Sequence, residues 1–250
     1  MTFTKKSGII PSMKQKYIIT DIDGVVLDWE EAFSVWAEQH GHELVEGYQF
    51  KYSIGDRYGL THKQGNQLVR IFNESAAIGF LPPLRDAQYF IKKLHEQHRY
   101  KFIALTSLSL DPYAHALRER NLAKLMGKYA FSKVICLDTG ADKDEALERL
   151  AKKYKGSYWI EDKPVNLKAG SDVGFKGILM EHGHNMNKEV DGFVAKNWED
   201  VYNYIIDNEP RRKDIIDDRM VEELHYMGTR SNNHILHKNT YKKQITEKIE

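Results

Sequence analysis

The 250-residue sequence lacks several features that mark secreted, membrane and nucleic-acid-binding proteins. Its single cysteine, Cys136, excludes a disulfide within the chain and fits a reducing compartment. No stretch of eighteen consecutive apolar residues occurs, so the sequence predicts no membrane-spanning helix. The formal charge of +1 predicts no general attraction to nucleic acid or to an anionic membrane. Together these absences predict a soluble protein of the cytoplasm.

The chain alternates short apolar runs with amphipathic stretches that begin at helix-capping residues. Such apolar runs are typical of buried parallel strands, and the capped stretches are typical of the helices between them. We therefore expect an α/β fold with a doubly wound, Rossmann-like parallel sheet. The predicted strands are Lys16–Asp21, Tyr100–Thr106, Lys133–Leu137, Ser157–Glu161 and Gly177–Met180. The residues expected at helix starts are Asp28, Thr61, Pro82, Asp111, Asp142 and Asn197.

The interval between the first two predicted strands is too long for a single crossover helix. With 41% hydrophobic residues, the chain can bury one large core and a small accessory domain. We predict that residues 27–79 form a small helical cap inserted after the first strand, over the sheet edge where open α/β folds bind ligands. Residues 1–26 and 80–207 would form the α/β core. Residues 208–250 would form a C-terminal extension that is partly helical or disordered.

Two aspartates, Asp21 and Asp23, directly follow the first predicted strand and precede Gly24. Side chains two residues apart leave a strand on the same side, so the two carboxylates repel each other unless a cation lies nearby. At the end of a parallel strand they suit a hard cation such as Mg²⁺ and a phosphoryl group. A plain strand-to-turn junction stays open as the alternative, since Asp and Gly are common in turns.

Other polar residues follow the later predicted strands. Glu161 and Asp162 form a second acidic pair, which would also be costly without a cation. Thr106 and Ser107 end the second strand and can donate hydrogen bonds to phosphate oxygens. Lys143 lies at the start of a helix, where the helix dipole disfavours a cation unless an anion is close. Two of these patterns also have an ordinary explanation: Thr106 and Ser107 can simply end a strand, and Lys143 can be a solvated surface lysine.

This ordered set of residues resembles the haloacid dehalogenase superfamily of phosphotransferases. That superfamily carries an Asp-x-Asp-Gly motif, a strand-terminal Thr or Ser, a Lys and a terminal acidic pair, and all four occur here in order. Within it, residues 21–29, 105–107 and 160–163 are similar to motifs of the 5′(3′)-deoxyribonucleotidases. Glu161 departs from that family, which has Asp at this position, and the cap is poorly matched beyond Trp29.

The resemblance implies a Mg²⁺-dependent phosphatase, a phosphoric monoester hydrolase that acts on (deoxy)nucleoside monophosphates. It implies that Asp21 attacks phosphorus to form an aspartyl-phosphate and that Asp23 acts as general acid and base. The implied Mg²⁺ ligands are Asp21, Asp162, the backbone carbonyl of Asp23 and, directly or through water, Glu161. The residues implied to bind the phosphoryl group are Thr106, Ser107 and Lys143.

Several alternatives stay open at the level of the sequence. Trp29 can stack on a nucleobase, or it can pack in the core of the helix that it begins. The same fold could act on a sugar phosphate or a nucleic-acid 3′-phosphate, or it could serve as a non-catalytic binding module. His182 and His184 lack further ligands at zinc spacing, so we interpret them as loop residues. The expected partner is a small phosphorylated substrate, and the sequence leaves homo-oligomer formation open.

Overall fold

The computed structural model describes residues 15–209. Within this range, six strands form one sheet: β1 (Lys16–Thr20), β2 (Tyr100–Thr106), β3 (Phe131–Cys136), β4 (Tyr158–Glu161), β5 (Lys176–Met180) and β6 (Phe193–Ala195). The strands lie in the order β3-β2-β1-β4-β5-β6, and every neighbouring pair is parallel. This is the doubly wound order of Rossmann-like sheets. The predicted α/β fold is therefore confirmed.

Five of the six strands coincide with predicted strands to within two residues at each end. They are recognisable because the central strands are buried on both faces. Ile18 and Ile19 of β1, for example, point to opposite faces and are both fully buried. The sequence pattern does not predict β6. This strand has only three residues at the edge of the sheet, too few to show a period, and it is defined by its pairing with β5.

Eight α-helices lie in the described range: α1 (Trp29–Gln39), α2 (Ile54–Arg57), α3 (His62–Asn73), α4 (Ala87–Glu96), α5 (Pro112–Met126), α6 (Asp144–Tyr154), α7 (Pro164–Asp172) and α8 (Trp198–Asp207). Two 3₁₀ turns, Tyr48–Phe50 and Ala76–Phe80, accompany them. Four predicted caps are confirmed, since their side chains accept a hydrogen bond from a backbone N–H in the first turn. These caps are Asp28, Thr61, Asp111 and Asn197.

The predicted start of α4 at Pro82 is wrong, because residues 82–84 pair with the loop that follows β1. The backbone N–H of Asp28 donates to the carbonyl of Pro82 at 2.9 Å, and that of Leu84 donates to the carbonyl of Val26 at 2.9 Å. These bonds hold the segment outside the helix, so α4 begins only at Ala87.

The start of α8 is tied to the same loop, residues 21–27. Trp198 is fully buried, and its indole N–H donates to the carbonyl of Val25 at 2.7 Å. The carboxylate of Asp86 accepts the backbone N–H groups of Trp198 and Glu199 at 2.9 and 3.0 Å. These contacts hold the loop that carries the two predicted catalytic aspartates.

Residues 27–79, which we call the cap segment, contain α1, α2 and α3 and bury aromatic rings of their own. Phe33 and Phe72 are buried and meet edge to face, with ring centroids 5.3 Å apart. Trp29 stacks on Phe33 at 4.6 Å, and Trp36 and Tyr58 pack around the same ring. A local aromatic core is consistent with a separate cap, and the division of the chain into cap and core stays a prediction.

Residues 15–204 belong to one compact unit, and the described residues after it include the last turn of α8. No helix between residues 15 and 209 is long and apolar enough to span a lipid bilayer. Nearly all of the predicted C-terminal extension, 208–250, lies outside the described residues.

Candidate active site

The two predicted acidic pairs lie side by side at the carboxyl end of the sheet. β1 and β4 are neighbours, and Thr20 pairs with Ile160. Asp21 directly follows β1, and its backbone N–H donates to the carbonyl of Ile160 at 2.8 Å. Glu161 is the last residue of β4. The strand order reverses between β1 and β4, which is the position where open α/β sheets bind ligands.

Lys143 joins the two acidic pairs. It is the N-cap residue of α6, so the cap predicted at Asp142 is wrong by one residue. Its Nζ atom lies 2.8 Å from Oδ2 of Asp21 and 2.8 Å from Oε2 of Glu161. Burial would lower the pKa of Lys143, but the two carboxylates outweigh it and raise this pKa, so the ammonium group stays charged. The anions expected beside this helix start are thus supplied by the protein itself.

Negative charge exceeds positive charge in the acidic floor, which we define as Asp21, Lys143, Glu161 and Asp162. Burial raises the pKa of Asp21 to about 8, with a further contribution from the charge of Glu161 and against the effect of Lys143. Burial and the charge of Asp21 raise the pKa of Asp162 to about 6, and burial raises the pKa of Glu161. One ammonium group does not neutralise three carboxylates. The floor therefore favours binding of further positive charge.

The donor set of the acidic floor fits Mg²⁺. Oxygen atoms of Asp21, Glu161 and Asp162 lie within 4.8 Å of one another, close enough to surround one ion. Carboxylate oxygens are the ligands that Mg²⁺ prefers in proteins. In the described part of the chain, no other group of three or more His, Cys, Asp or Glu residues is arranged in this way. The predicted metal ligands remain a prediction that this geometry supports.

Both oxygens of Glu161 already accept hydrogen bonds from the protein. Oε1 accepts the backbone N–H groups of Asp162 and Lys163 at 3.1 Å each. Oε2 accepts from Nζ of Lys143 at 2.8 Å and from the side-chain amide of Asn166 at 3.3 Å. A Mg²⁺ ion bound directly to Glu161 would compete with these four donors. Asp21 and Asp162 are therefore the better candidates for direct ligands.

The loop after β5 holds the acidic floor from one side. The imidazole of His182 is hydrogen-bonded through Nε2 to the carbonyl of Gly24 at 2.6 Å. The side-chain amide of Asn185 donates to the backbone carbonyls of Asp162 and Met180 at 2.6 and 2.9 Å. Gly24 has a φ of 77°, and a Cβ there would lie 3.0 Å from Oδ2 of Asp162. Glycine is thus required for this turn to pass so close to the predicted metal ligand.

Asp23 lies at the edge of the floor and contacts a different cation. Oδ1 of Asp23 lies 2.6 Å from Nη1 of Arg118, and Oδ2 accepts a hydrogen bond from Thr106 at 3.4 Å. The sequence interpretation missed Arg118. A signal was present, because Arg118 stands four residues from Ala114 and from Leu122 on the buried face of α5.

The three predicted phosphate-binding residues differ in how free their polar atoms are. Thr106 is fully buried, lines the cavity and donates to Asp23. Lys143 is held between two carboxylates of the floor. The hydroxyl of Ser107 donates to the carbonyl of Ala141 at 2.8 Å. Ser107 is therefore the weakest of the three candidates, since its hydroxyl already has a partner.

An open cavity of about 840 Å³ borders the acidic floor, and much of its other side comes from the cap segment. We call six of these cap residues the cap wall: Trp29, Gln49, Tyr52, Arg57, Asn66 and Asn73. Trp29 has one ring face against Phe33, and its indole N–H donates to Asn73 at 2.9 Å. Tyr52 lines the cavity and is 56% exposed, and Nζ of Lys163 lies 5.5 Å from the centroid of its ring.

Buried His184 lies beside the predicted metal ligand Asp162. Its side chain is 7% exposed, and its Nε2 lies 3.6 Å from Oδ2 of Asp162. Burial and the neighbouring His182 lower its pKa to about 4, so the imidazole is neutral at pH 7. Neither ring nitrogen has a hydrogen-bond partner among the described residues. The ring of Tyr52 meets it edge-on at 5.2 Å, so this histidine joins the floor to the cap wall.

Comparison of the sequence with known proteins gives little direct information on function. No protein-family model matches the chain. An uncharacterized 32.4 kDa protein from the Gp30-rIII intergenic region of enterobacteria phage T4 is 26% identical over 214 residues, which cover 83% of this chain and 76% of that protein. The similarity extends over most of both chains, but the description of the phage protein states no activity.

Comparison of the structure is more informative. The haloacid dehalogenase-like hydrolase SP0104 from Streptococcus pneumoniae is 13% identical with a TM-score of 0.55, over 76% of this chain and 98% of that chain. The HAD-hydrolase YfnB from Bacillus subtilis, solved with magnesium, is 15% identical with a TM-score of 0.52, over 78% of this chain and 100% of that chain. The defluorinating L-2-haloacid dehalogenase Rha0230 is 15% identical with a TM-score of 0.50, over 76% of this chain and 95% of that chain. Such likenesses establish a shared fold, and they leave the reaction to be argued from the site.

Proposed function

We propose that this chain, which has the fold of haloacid dehalogenase-like hydrolases, is a Mg²⁺-dependent phosphatase that hydrolyses (deoxy)nucleoside monophosphates. The main support is that Asp21, Lys143 and Asp162 meet beside a cavity of about 840 Å³. A nucleophile, a cation for phosphoryl oxygens and a metal ligand are the parts that phosphoryl transfer needs in one place. The cavity volume lies in the range of small-molecule sites.

In the first step, a carboxylate oxygen of Asp21 forms a bond to phosphorus while the bond to the ester oxygen breaks. Asp23 gives a proton to the departing ester oxygen, so the alcohol leaves neutral. Lys143 stabilises the phosphoryl oxygens, which are negatively charged. The backbone N–H of Ile22 donates to Oδ1 of Asp21 at 2.7 Å and limits the rotation of the nucleophile.

In the second step, water attacks phosphorus and breaks its bond to Asp21. Asp23, now ionised, takes a proton from this water, and phosphate is released with both aspartates restored to their starting forms. Bound Mg²⁺, held by Asp21 and Asp162, would neutralise charge on the phosphoryl oxygens during both steps. Glu161 keeps Lys143 in place through the 2.8 Å ion pair.

The nucleotide class is supported by the aromatic residues of the cap wall. Tyr52 has an exposed ring on the cavity, and Trp29 lines the same cavity with one face packed on Phe33. A nucleobase can stack on such rings, whereas a sugar phosphate has no comparable flat apolar surface. The similarity of residues 21–29 to the deoxyribonucleotidases points to the same class.

A phosphate-release screen tests this proposal. The purified protein is assayed with 5′- and 3′-(deoxy)nucleoside monophosphates, sugar phosphates, a 3′-phosphorylated oligonucleotide and p-nitrophenyl phosphate, in Mg²⁺ and again in EDTA. We expect release that requires Mg²⁺ and is fastest with nucleoside monophosphates. Faster release from sugar phosphates or from the oligonucleotide would overturn the substrate class, and full activity in EDTA would overturn the metal dependence. Absence of any release would favour a non-catalytic module.

A further inference from the structure

Arg118 is a fully buried cation on the apolar face of a helix. It lies on α5 and is 0% exposed. The residues four positions away in each direction, Ala114 and Leu122, are buried as well, and so is Met126. A charge at such a position is costly to bury, because it loses its hydration and must be compensated by a partner of opposite sign.

Its ion-pair partner in the described range is Asp23. Nη1 of Arg118 lies 2.6 Å from Oδ1 of Asp23. No nitrogen of the guanidinium group has a well-oriented hydrogen-bond acceptor among residues 15–209. The compensation therefore comes from Asp23, as a full charge while it is ionised and through the lone pairs of Oδ1 while Oδ2 carries the proton. If Asp23 is removed, Arg118 is left as a buried charge without a partner of opposite sign in the described range.

This ion pair gives the two oxygens of Asp23 different environments. Oδ1 is buried against Arg118, although the Asp23 side chain as a whole is 22% exposed. Oδ2 faces the hydroxyl of Thr106, which lines the cavity at the end of β2. The carboxylate is therefore anchored through one oxygen, and the other oxygen is left on the side of the cavity.

We propose that Arg118 is a positioning residue for proton transfer by Asp23, an inference that rests on the proposed function. Arg118 anchors Oδ1, so that Oδ2 is the oxygen that gives a proton to the departing ester oxygen and later takes one from water. Arg118 itself touches neither substrate nor the transferred group. Its contribution is the orientation of the carboxylate, which determines how well the proton-transfer geometry is reached.

The proposal predicts an effect that depends on the leaving group. An ester with a basic leaving group needs a proton as its bond breaks, whereas p-nitrophenolate leaves well without one. The test compares kcat/KM of wild type and Arg118→Met on phenyl phosphate, whose phenol has a pKa of about 10, and on p-nitrophenyl phosphate. For phenyl phosphate we expect a loss of about 10- to 100-fold, part of a typical acid–base contribution. For p-nitrophenyl phosphate we expect a much smaller loss.

A double-mutant cycle separates positioning from a structural role. In the Asp23→Asn background, Arg118→Met should change neither substrate by more than about twofold, the scatter expected for independent sites. Arg118→Lys should restore part of the lost activity toward phenyl phosphate, since it keeps the charge. Exposed Arg120 lies two residues away on the same helix, and Arg120→Met serves as the matched control without an effect.

Equal losses on both aryl phosphates, or the same loss with and without Asp23, would overturn the positioning role of Arg118 alone. If wild type hydrolyses neither these esters nor any nucleoside monophosphate in Mg²⁺, the proposed function fails, and this inference fails with it. If Arg118→Met does not fold, Arg118→Lys carries the same comparison. It loses the planar fork of the guanidinium group, so a smaller loss confined to phenyl phosphate and dependent on Asp23 is expected.

Discussion

The acidic floor and the cap wall border one cavity, but they are built in different ways. In the floor, Asp21 and Glu161 sit at the ends of neighbouring strands, and Lys143 lies within 2.8 Å of both. In the cap wall, Trp29 and Tyr52 come from a helix start and an irregular segment of the cap. The floor is positioned by the sheet, whereas the wall depends on how cap helices pack. We therefore expect substitutions in the acidic floor to lower the rate on every substrate, and substitutions in the cap wall to change the preference among substrates.

The largest expected effect comes from the nucleophile in the floor. Asp21→Asn keeps the shape of the side chain but cannot form the acyl-phosphate. We expect kcat to fall by more than about 10⁴-fold on every substrate, the scale of loss when a catalytic nucleophile is removed. Circular dichroism and urea unfolding should show a cooperative fold. A folded variant with turnover near that of wild type would exclude the covalent mechanism.

The two acids at the end of β4 should differ in their effect on the metal. Asp162→Ala should weaken Mg²⁺ binding by about 100-fold or more, beyond the 10- to 100-fold typical for groups that only support ligands. Glu161→Ala should weaken it less and should instead lower kcat, because Glu161 holds Lys143. Isothermal titration calorimetry of both variants measures the two affinities. The reverse order would mean that Glu161 is the direct ligand.

Mg²⁺ affinity should depend on pH through the raised pKa values of the floor. In the metal-free fold, Asp21 with a pKa of about 8 holds a proton that Mg²⁺ must displace. Affinity should therefore rise about tenfold per pH unit from pH 6 to pH 8 and level off above it. For the same reason, the stability of the metal-free protein should fall as the pH rises through this range.

Asp21→Asn is the matched control for this pH dependence. It cannot bind the displaced proton, so its weaker Mg²⁺ affinity should change much less between pH 6 and pH 8. A flat affinity profile for wild type over the same range, measured calorimetrically in two buffers to count released protons, would contradict the raised pKa of Asp21.

The same comparison explains how far the sequence could be interpreted. Asp21 and Asp162 were recognisable because they follow apolar strands, and parallel strands bring their carboxyl ends to one edge. Strand β6 was not recognisable, because a strand of three residues is too short to show an alternating hydrophobic pattern. The role of Asp86 was not recognisable either, because Asp86 caps α8 from more than a hundred positions away along the chain. The helix pattern could have placed Arg118 on a buried face, but its contact with Asp23 and that of His184 with Asp162 are long-range, and local patterns do not contain them.

Substitutions of Trp29 and Tyr52, with the smallest expected effects, test whether the cap wall binds the nucleobase. Stacking of a base on an aromatic ring contributes about 1–3 kcal/mol, or about 5- to 150-fold in specificity. Because Phe33 and Asn73 already hold Trp29, we expect the smaller nucleotide-specific loss for Trp29→Ala. Tyr52→Leu should lower kcat/KM for nucleotides by about 10-fold, at the low end of this range, and change p-nitrophenyl phosphate much less.

Phe50 gives the matched control, because its ring is 64% exposed in the cap segment, close to the 56% of Tyr52, but is absent from the cavity lining. Phe50→Leu removes a comparable aromatic surface from the same part of the chain, so it should leave the ratio of nucleotide to p-nitrophenyl phosphate activity unchanged. If Tyr52→Leu and Phe50→Leu lower both activities equally, the cap contributes only general closure. If Trp29→Ala shows the larger selective loss in a folded variant, the base stacks on Trp29 rather than on Tyr52. The first result would remove substrate choice from the wall, the second would relocate it within the wall, and neither would change the chemistry assigned to the floor.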